Sequence, residues 1–162
     1  MDPREFRSVI GHFATGVTVI TTAAGEELQG MTANAITSLS LDPMMMLVCV
    51  DKDSHTHRVL SAGGVFAVNI LSEHQEEVSR LFAKRGGPEV GSLRGQRFTL
   101  GTSGAPLLED CLAYLDCRVR GVLDGGDHSI FLGEVVEARV LSDARPLLFY
   151  RGHYHSLTDA AG

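Results

Sequence analysis

No tryptophan occurs in the 162-residue chain, aromatic residues make up only 6%, and of the 14 basic residues only Lys52 and Lys84 are lysines. The core must therefore come from aliphatic side chains, which a 44% hydrophobic content supplies for one sizeable core, and any functional lysine has two candidates. The same composition excludes disorder over most of the chain. Three cysteines, Cys49, Cys111 and Cys117, form no Cys-x-x-Cys pair and sit among apolar neighbours, so reduced, buried thiols are expected rather than a disulfide framework. The net charge of −6 excludes a protein that coats nucleic acid or an anionic membrane, although a local basic pocket is compatible with it. No apolar run approaches the ~18 residues of a spanning helix, and the start Met1-Asp2-Pro3-Arg4-Glu5-Phe6 has no signal-like stretch, so a cytoplasmic protein is expected. Gly-x-Ser-x-Gly, Gly-x-Gly-x-x-Gly and Walker-type loops are all missing, so a nucleotide would have to bind without the usual glycine fingerprints. The length suits one domain, residues 1–162, and excludes a dinucleotide-binding domain followed by a separate substrate domain.

What is present reads mainly as strands. Asp2 caps a short first helix with Pro3 at its first position, and Phe6, Val9, Ile10 and Phe13 recur at helical spacing. The β-branched run from Val17 to Thr22, the turn at Ala24-Gly25-Glu26-Glu27 and the segment from Leu28 to about Ala33 form an opening hairpin. After Asp42-Pro43, the unbroken apolar run from Met44 to Val50 predicts a strand buried on both faces. Ser54 caps a helix over roughly His55 to Ser61, ended by Gly63-Gly64, and Val65 to Ile70 restarts a strand. Ser72-Glu73-His74-Gln75 has capping-box spacing and opens a helix to about Lys84. Arg85 to Gly104 holds six glycines and reads as a mobile excursion with a short strand near Gln96 to Thr99. Leu112 to Val122, the turn Asp124-Gly125-Gly126-Asp127 and Ser129 to Leu141 form a long hairpin, and Leu147 to Arg151 a last short strand. Such a chain favours an antiparallel barrel or sandwich over a parallel α/β sheet.

Two clusters can carry chemistry. Gly30 to Ser40 is dense in small residues, hydroxyls and one amide, which lets a flat ligand approach the backbone; a strand with solvent-facing hydroxyls has the same composition. Asp51 to Arg58 places a lysine, two hydroxyls and two histidines where a strand turns into a helix, which suits a phosphate and equally an ordinary capped loop. The pairs His55-x-His57 and His153-x-His155 have the alternation two metal ligands need, but no third ligand at a recognised spacing completes them, so no metal is assigned. No cysteine has a partner placed to generate a thiolate nucleophile.

In order along the chain, Phe13-Ala14-Thr15-Gly16-Val17-Thr18-Val19-Ile20-Thr21, Gly30-Met31-Thr32-Ala33-Asn34-Ala35, Ser38-Leu39-Ser40-Leu41-Asp42-Pro43, Phe66-Ala67-Val68-Asn69-Ile70-Leu71, Gly126-Asp127-His128 and Tyr150-Arg151-Gly152-His153-Tyr154 can be picked out. This ordered set resembles the short flavin reductases of two-component monooxygenases, which have the FMN-binding split-barrel fold, and it spans about Phe6 to Leu157. The resemblance implies a mainly β, antiparallel Greek-key barrel with a few flanking helices. It further implies a homodimeric enzyme that uses NADH or NADPH to reduce FMN or FAD and releases the reduced flavin to a separate monooxygenase component. The isoalloxazine would lie along the Thr32-Ala33-Asn34 backbone with Ser38, Leu39 and Ser40 nearby, and the phosphate would meet Lys52, Ser54 and Thr56. Cys49, Val50 and Asp51 join the cofactor-binding set, Phe82, Ala83 and Lys84 match positions that close over the flavin, and His128 and Tyr154 match positions associated with the nicotinamide.

That chemistry asks the protein only to stack two rings and to stabilise the charge that develops on the reduced flavin, so the lack of an acid–base dyad is consistent with it. His128, the one residue assigned a catalytic place, is expected to orient by hydrogen bonding rather than to act as an obligatory acid. FMN and FAD stay open, because both share the groups these motifs address; NADH is favoured over NADPH, since no arginine cluster awaits a 2′-phosphate. Two other readings keep the fold: a flavoprotein with tightly bound flavin acting as an oxidase, and a non-enzymatic flavin-binding module. Asp51-Lys52 and the paired His55 and His57 depart from the simplest family pattern, and Gly86 to Gly104 falls outside the matching segments.

Overall fold

A computed structural model describes residues 1–158. The first helix, α1 (Pro3–Ile10), starts as its sequence dictates: the Asp2 carboxylate accepts the Arg4 N–H at 3.0 Å, and Pro3 occupies the first turn, where its missing donor costs nothing. Short β1 (Thr15–Gly16) precedes the opening hairpin of β2 (Thr18–Ala24) and β3 (Glu27–Ala33), paired from Thr18 with Ala33 to Ala24 with Glu27. Next come β4 (Ile36–Leu41) and β5 (Met44–Asp51), then α2 (His55–Gly63), β6 (Val65–Ile70) and α3 (Glu76–Ala83). The segment beyond α3 contains β7 (Glu89–Val90) and the small hairpin of β8 (Phe98–Leu100) and β9 (Pro106–Leu108). The long hairpin is β10 (Ala113–Gly125) and β11 (His128–Val140), and β12 (Leu147–Tyr150) and β13 (His153–Ser156) finish the described chain.

The main sheet has eight strands in the order β4-β5-β11-β10-β6-β2-β3-β7, and every pair is antiparallel. Its central strands are buried on both faces, because alternate side chains enter two separate cores: Val19 and Ala67 pack with Leu71, Phe82 and Leu107, while Ile20, Phe66 and Val68 pack with Val48, Leu60 and Phe131. Asn69 joins three strands from inside the sheet, donating to Val19 O at 3.0 Å and Thr21 Oγ1 at 2.9 Å and accepting the Leu108 N–H at 2.8 Å.

Several expectations change. The Met44–Asp51 run alternates: Met46, Val48 and Val50 are buried, while Met45, Leu47 and Cys49 are half-buried, because β5 lies one strand from the sheet edge with only one face covered. Cys49 therefore departs from Cys111 and Cys117, which are buried as expected. The capping box is only half made. Gln75 Oε1 accepts the Ser72 N–H at 2.9 Å, but Ser72 is held by a bridge to Pro146, so the helix begins a turn later at Glu76. Residues 85–104 pack rather than wander: Leu93 is buried in the first core, and β7 pairs with the start of β3. The chain also reverses at Arg151 and Gly152, both in the left-handed region with φ of 50° and 82°, to add β13.

Candidate functional site

A cleft of about 520 Å³ opens over β3. Its floor is Gln29, Gly30, Met31 and Thr32; one wall is the β5–α2 junction, with Asp51, Asp53, Ser54, His55 and Thr56; the other runs from the end of α3 into the loop after it, Phe82 to Gly86. β7 pairs only with Glu27 and Leu28, so among the described residues the outer edge of β3 from Gln29 onward pairs with no other strand. That edge offers backbone donors and acceptors to a flat heterocycle. Gly30 is required by the wall above it: a Cβ there would lie 2.7 Å from Phe82 Cε1.

The first wall is locally built. Ser54 accepts the His57 N–H at 3.1 Å and donates to Asp51 O at 2.7 Å, which starts α2 directly at the cleft. His55 and Thr56 thus contribute first-turn N–H groups, which a helix leaves without intrahelical acceptors and which favour an anion. Lys84 and Arg85 add positive charge across the cleft, while Asp51 accepts the Asp53 N–H at 2.9 Å and stands 4.0 Å from the Arg85 guanidinium. These groups fit a phosphate-bearing planar ligand: a free strand edge for the ring, a helix N-terminus for the phosphate.

A second cleft of about 250 Å³ shares Thr32 and Ala83 with the first and adds Val17, Ala33, Asn34, Ser79, Phe149 and Tyr154, so the two adjoin at those residues. Thr32 donates to Ser79 O at 2.6 Å, and Ser79 Oγ lies 2.7 Å from Tyr154 Oη. The Tyr154 ring carries the Arg80 guanidinium 4.9 Å from its centroid and meets Phe149 edge-on at 5.4 Å.

Of the residues singled out from sequence, Thr32, Asp51, Ser54, Thr56, Phe82, Ala83 and Lys84 line the first cleft, and Thr32, Ala33, Asn34, Ala83 and Tyr154 the second. Others lie elsewhere. Ser38, Leu39 and Ser40 sit on the edge strand β4, Val50 is buried in the second core, and Cys49 is half-buried beside it. Lys52, the residue directly after β5, turns to the β10–β11 hairpin instead, where its ammonium pairs with the Asp124 carboxylate and donates to Gly126 O at 2.6 Å. That hydrogen bond from Lys52 holds the Asp124 carboxyl below its ordinary range. His128 opens β11 opposite Asp51, with Nδ1 2.7 Å from Asp127 Oδ1, and this bond holds Asp127 below the usual carboxylate range.

Gln29, Arg85, Gly86, Ser79 and Phe149 also line the clefts, and sequence reasoning does not find them, although Arg85 and Gly86 come directly after Lys84. The paired histidines diverge: His55 lines the first cleft, while His57 Nε2 bonds Ser129 Oγ at 2.8 Å and its ring meets Phe131 edge-on. Among the described residues, no three of His, Cys, Asp or Glu converge as metal ligands would, and no helix is long and apolar enough to cross a membrane.

Residues 10–158 match the family described as flavin reductase like domain. The reductase subunit HsaB of a flavin-dependent monooxygenase from Mycobacterium tuberculosis is 42% identical over 95% of this chain and 82% of its own. An NADH-dependent FAD reductase from Streptomyces globisporus is 42% identical over 95% of this chain and 87% of its own. Among solved structures, the Streptomyces globisporus NADH:FAD oxidoreductase in complex with NAD and FAD fragments superposes with a TM-score of 0.89 at 39% identity, over all of this chain and 98% of that one. The architecture is thus the antiparallel split barrel that the sequence resemblance implies.

Proposed function

The chain belongs to the flavin reductase like family, and on that premise we propose that it reduces FMN or FAD with NADH, and less readily with NADPH, and hands the reduced flavin to a separate monooxygenase component. The observation that carries the reading is the pair of adjoining clefts over the unpaired edge of β3, the first walled by a helix N-terminus on one side and by Phe82 to Gly86 on the other. Bound there, the flavin supplies the two-electron acceptor for a nicotinamide hydride. The protein's part is to bind and orient. β3 supports the ring system, Ser54, His55 and Thr56 meet the phosphate, and the Phe82 to Gly86 wall excludes water from one side. His128, fixed through Nδ1 by Asp127, orients the nicotinamide through Nε2, and Tyr154 limits the second cleft where that nucleotide stacks.

The active unit is a homodimer. Phe6, Val9, Ile10 and Phe13 are 53–72% exposed, and α1 buries no residue within its own chain. A second copy covers an apolar face of this kind. One domain spanning residues 1–162, working in the cytoplasm, completes the reading.

The test is a steady-state assay crossing NADH and NADPH with FMN, FAD and riboflavin, read as NADH oxidation and as anaerobic bleaching of the flavin. Turnover with added free flavin is expected. Protein that stays yellow through exhaustive dialysis and consumes no NADH with added flavin would overturn it in favour of a tightly bound oxidase cofactor. Flavin binding with no bleaching would leave only a carrier. Light scattering after size exclusion reads the dimer directly.

A further inference from the structure

We propose that Arg94 is a positioning residue for the flavin site, holding the Phe82–Gly86 wall of the cleft from its far side. The inference deepens the flavin reductase reading and rests on it. Arg94 lies outside the first cleft, in the excursion after α3, and among the described residues is one of two non-glycine residues in the left-handed region, with φ of 51°; Gly95 comes next at 74°. A large side chain seldom occupies that conformation unless its surroundings hold it there. Here they do: Glu89 Oε2 accepts the Arg94 N–H at 3.1 Å.

From this point the guanidinium reaches the end of α3. Nη1 donates to Leu81 O at 2.6 Å and to Lys84 O at 2.9 Å, carbonyls at a helix C-terminus, where donors are lacking and positive charge is favoured. Its Cζ lies 5.5 Å from the centroid of Phe82, whose ring also packs over Gly30 and in the first core. Gly86 completes the fit: a Cβ there would stand 2.6 Å from Arg94 Nη2, and Gly86 O is held by Gln29 Nε2 at 3.1 Å. One side chain therefore ties residues 81–86 together from behind and leaves their cleft face free for ligand, which is how a supporting shell fixes a binding surface.

Arg94→Gly separates this role from a merely structural one, because glycine relieves the left-handed backbone while removing the guanidinium. The variant is expected to melt near the native temperature, to raise the flavin Kd about tenfold and to keep kcat at saturating flavin within about twofold. Arg94→Lys recovers part of the affinity. Gly86→Ala, which crowds the guanidinium, weakens flavin binding in the same way, and the double variant is no weaker than the worse single one, since both act through the same contact. Arg97→Met, on the outer side of the same excursion where Arg97 pairs with Glu109 and Asp110, binds flavin like the native chain. Native flavin affinity in Arg94→Gly, or additive losses in the double variant, would overturn the proposal. Should Arg94→Gly fail to fold, native affinity in Gly86→Ala would overturn it as well. A native chain that binds flavin but does not reduce it overturns the reductase reading alone, and the affinity comparison still decides the role of Arg94.

Discussion

The two walls of the cleft are made by opposite means. Residues 53–56 are held by bonds between near neighbours, with Ser54 accepting the His57 N–H and Asp51 accepting from Asp53, so the short sequence there is enough to shape them. Residues 82–86 are held by groups far along the chain: Gly30 beneath Phe82, Gln29 on Gly86, and Arg94 on Leu81 and Lys84. A locally built wall weakens by the loss of one bond, whereas a wall built from distant parts weakens as a unit.

Phe82→Ala tests that contrast most severely. Phe82 is 2% exposed and packs in the first core as well as in the cleft, so its removal is expected to cost about 3 kcal/mol in urea unfolding and to lower flavin affinity more than any change in the other wall. Unaltered flavin affinity would show that the distant supports do not shape the site.

Ser54→Ala is expected to cost about 1 kcal/mol, the ordinary loss for an N-cap, and to weaken FMN while leaving riboflavin nearly unchanged, because only FMN carries the phosphate that the helix terminus meets. Equal losses for both flavins, measured as KM values, would place the phosphate elsewhere.

Each of the two cores holds a buried thiol, Cys111 in the first and Cys117 in the second. Burial pushes Cys111 up to about 11 and Cys117 up to about 12 from an ordinary 9.0. The unfolded chain releases these protons near pH 9 while the folded chain keeps them, so the folded state binds more protons and stability falls as pH rises from about 9 through about 12. A thiol reagent at about pH 8 is expected to modify half-buried Cys49 and to reach the other two only on unfolding, as read by mass spectrometry.

Lys52→Ala should do least. Its ammonium is committed to an exposed pair with Asp124, so urea midpoint and flavin KM are both expected to stay native. A marked rise in KM for FMN but not riboflavin would return Lys52 to the phosphate.

The pattern of strands was readable because each depends on neighbours in sequence: β-branched runs for β2 and β6, and Asp124-Gly125-Gly126-Asp127 for the turn between β10 and β11. Ser54 was readable for the same reason. The start of α3 was not, because Ser72 is taken by Pro146, and neither was the direction of Lys52, which the β10–β11 hairpin decides. Gln29, Ser79 and Phe149 carry no local signal, since each enters the clefts only through strand pairing or helix packing.

By itself the sequence determined an aliphatic-cored antiparallel fold, the helix terminus at Ser54 and the ordered motifs that mark a flavin reductase. Those rest on composition and on interactions within a few residues, which a linear chain displays. Only the tertiary structure decided that the glycine-rich excursion packs through Leu93 and sends Arg94 behind the Phe82 to Gly86 wall, because that contact joins surfaces whose meeting depends on how the sheet and α3 come together.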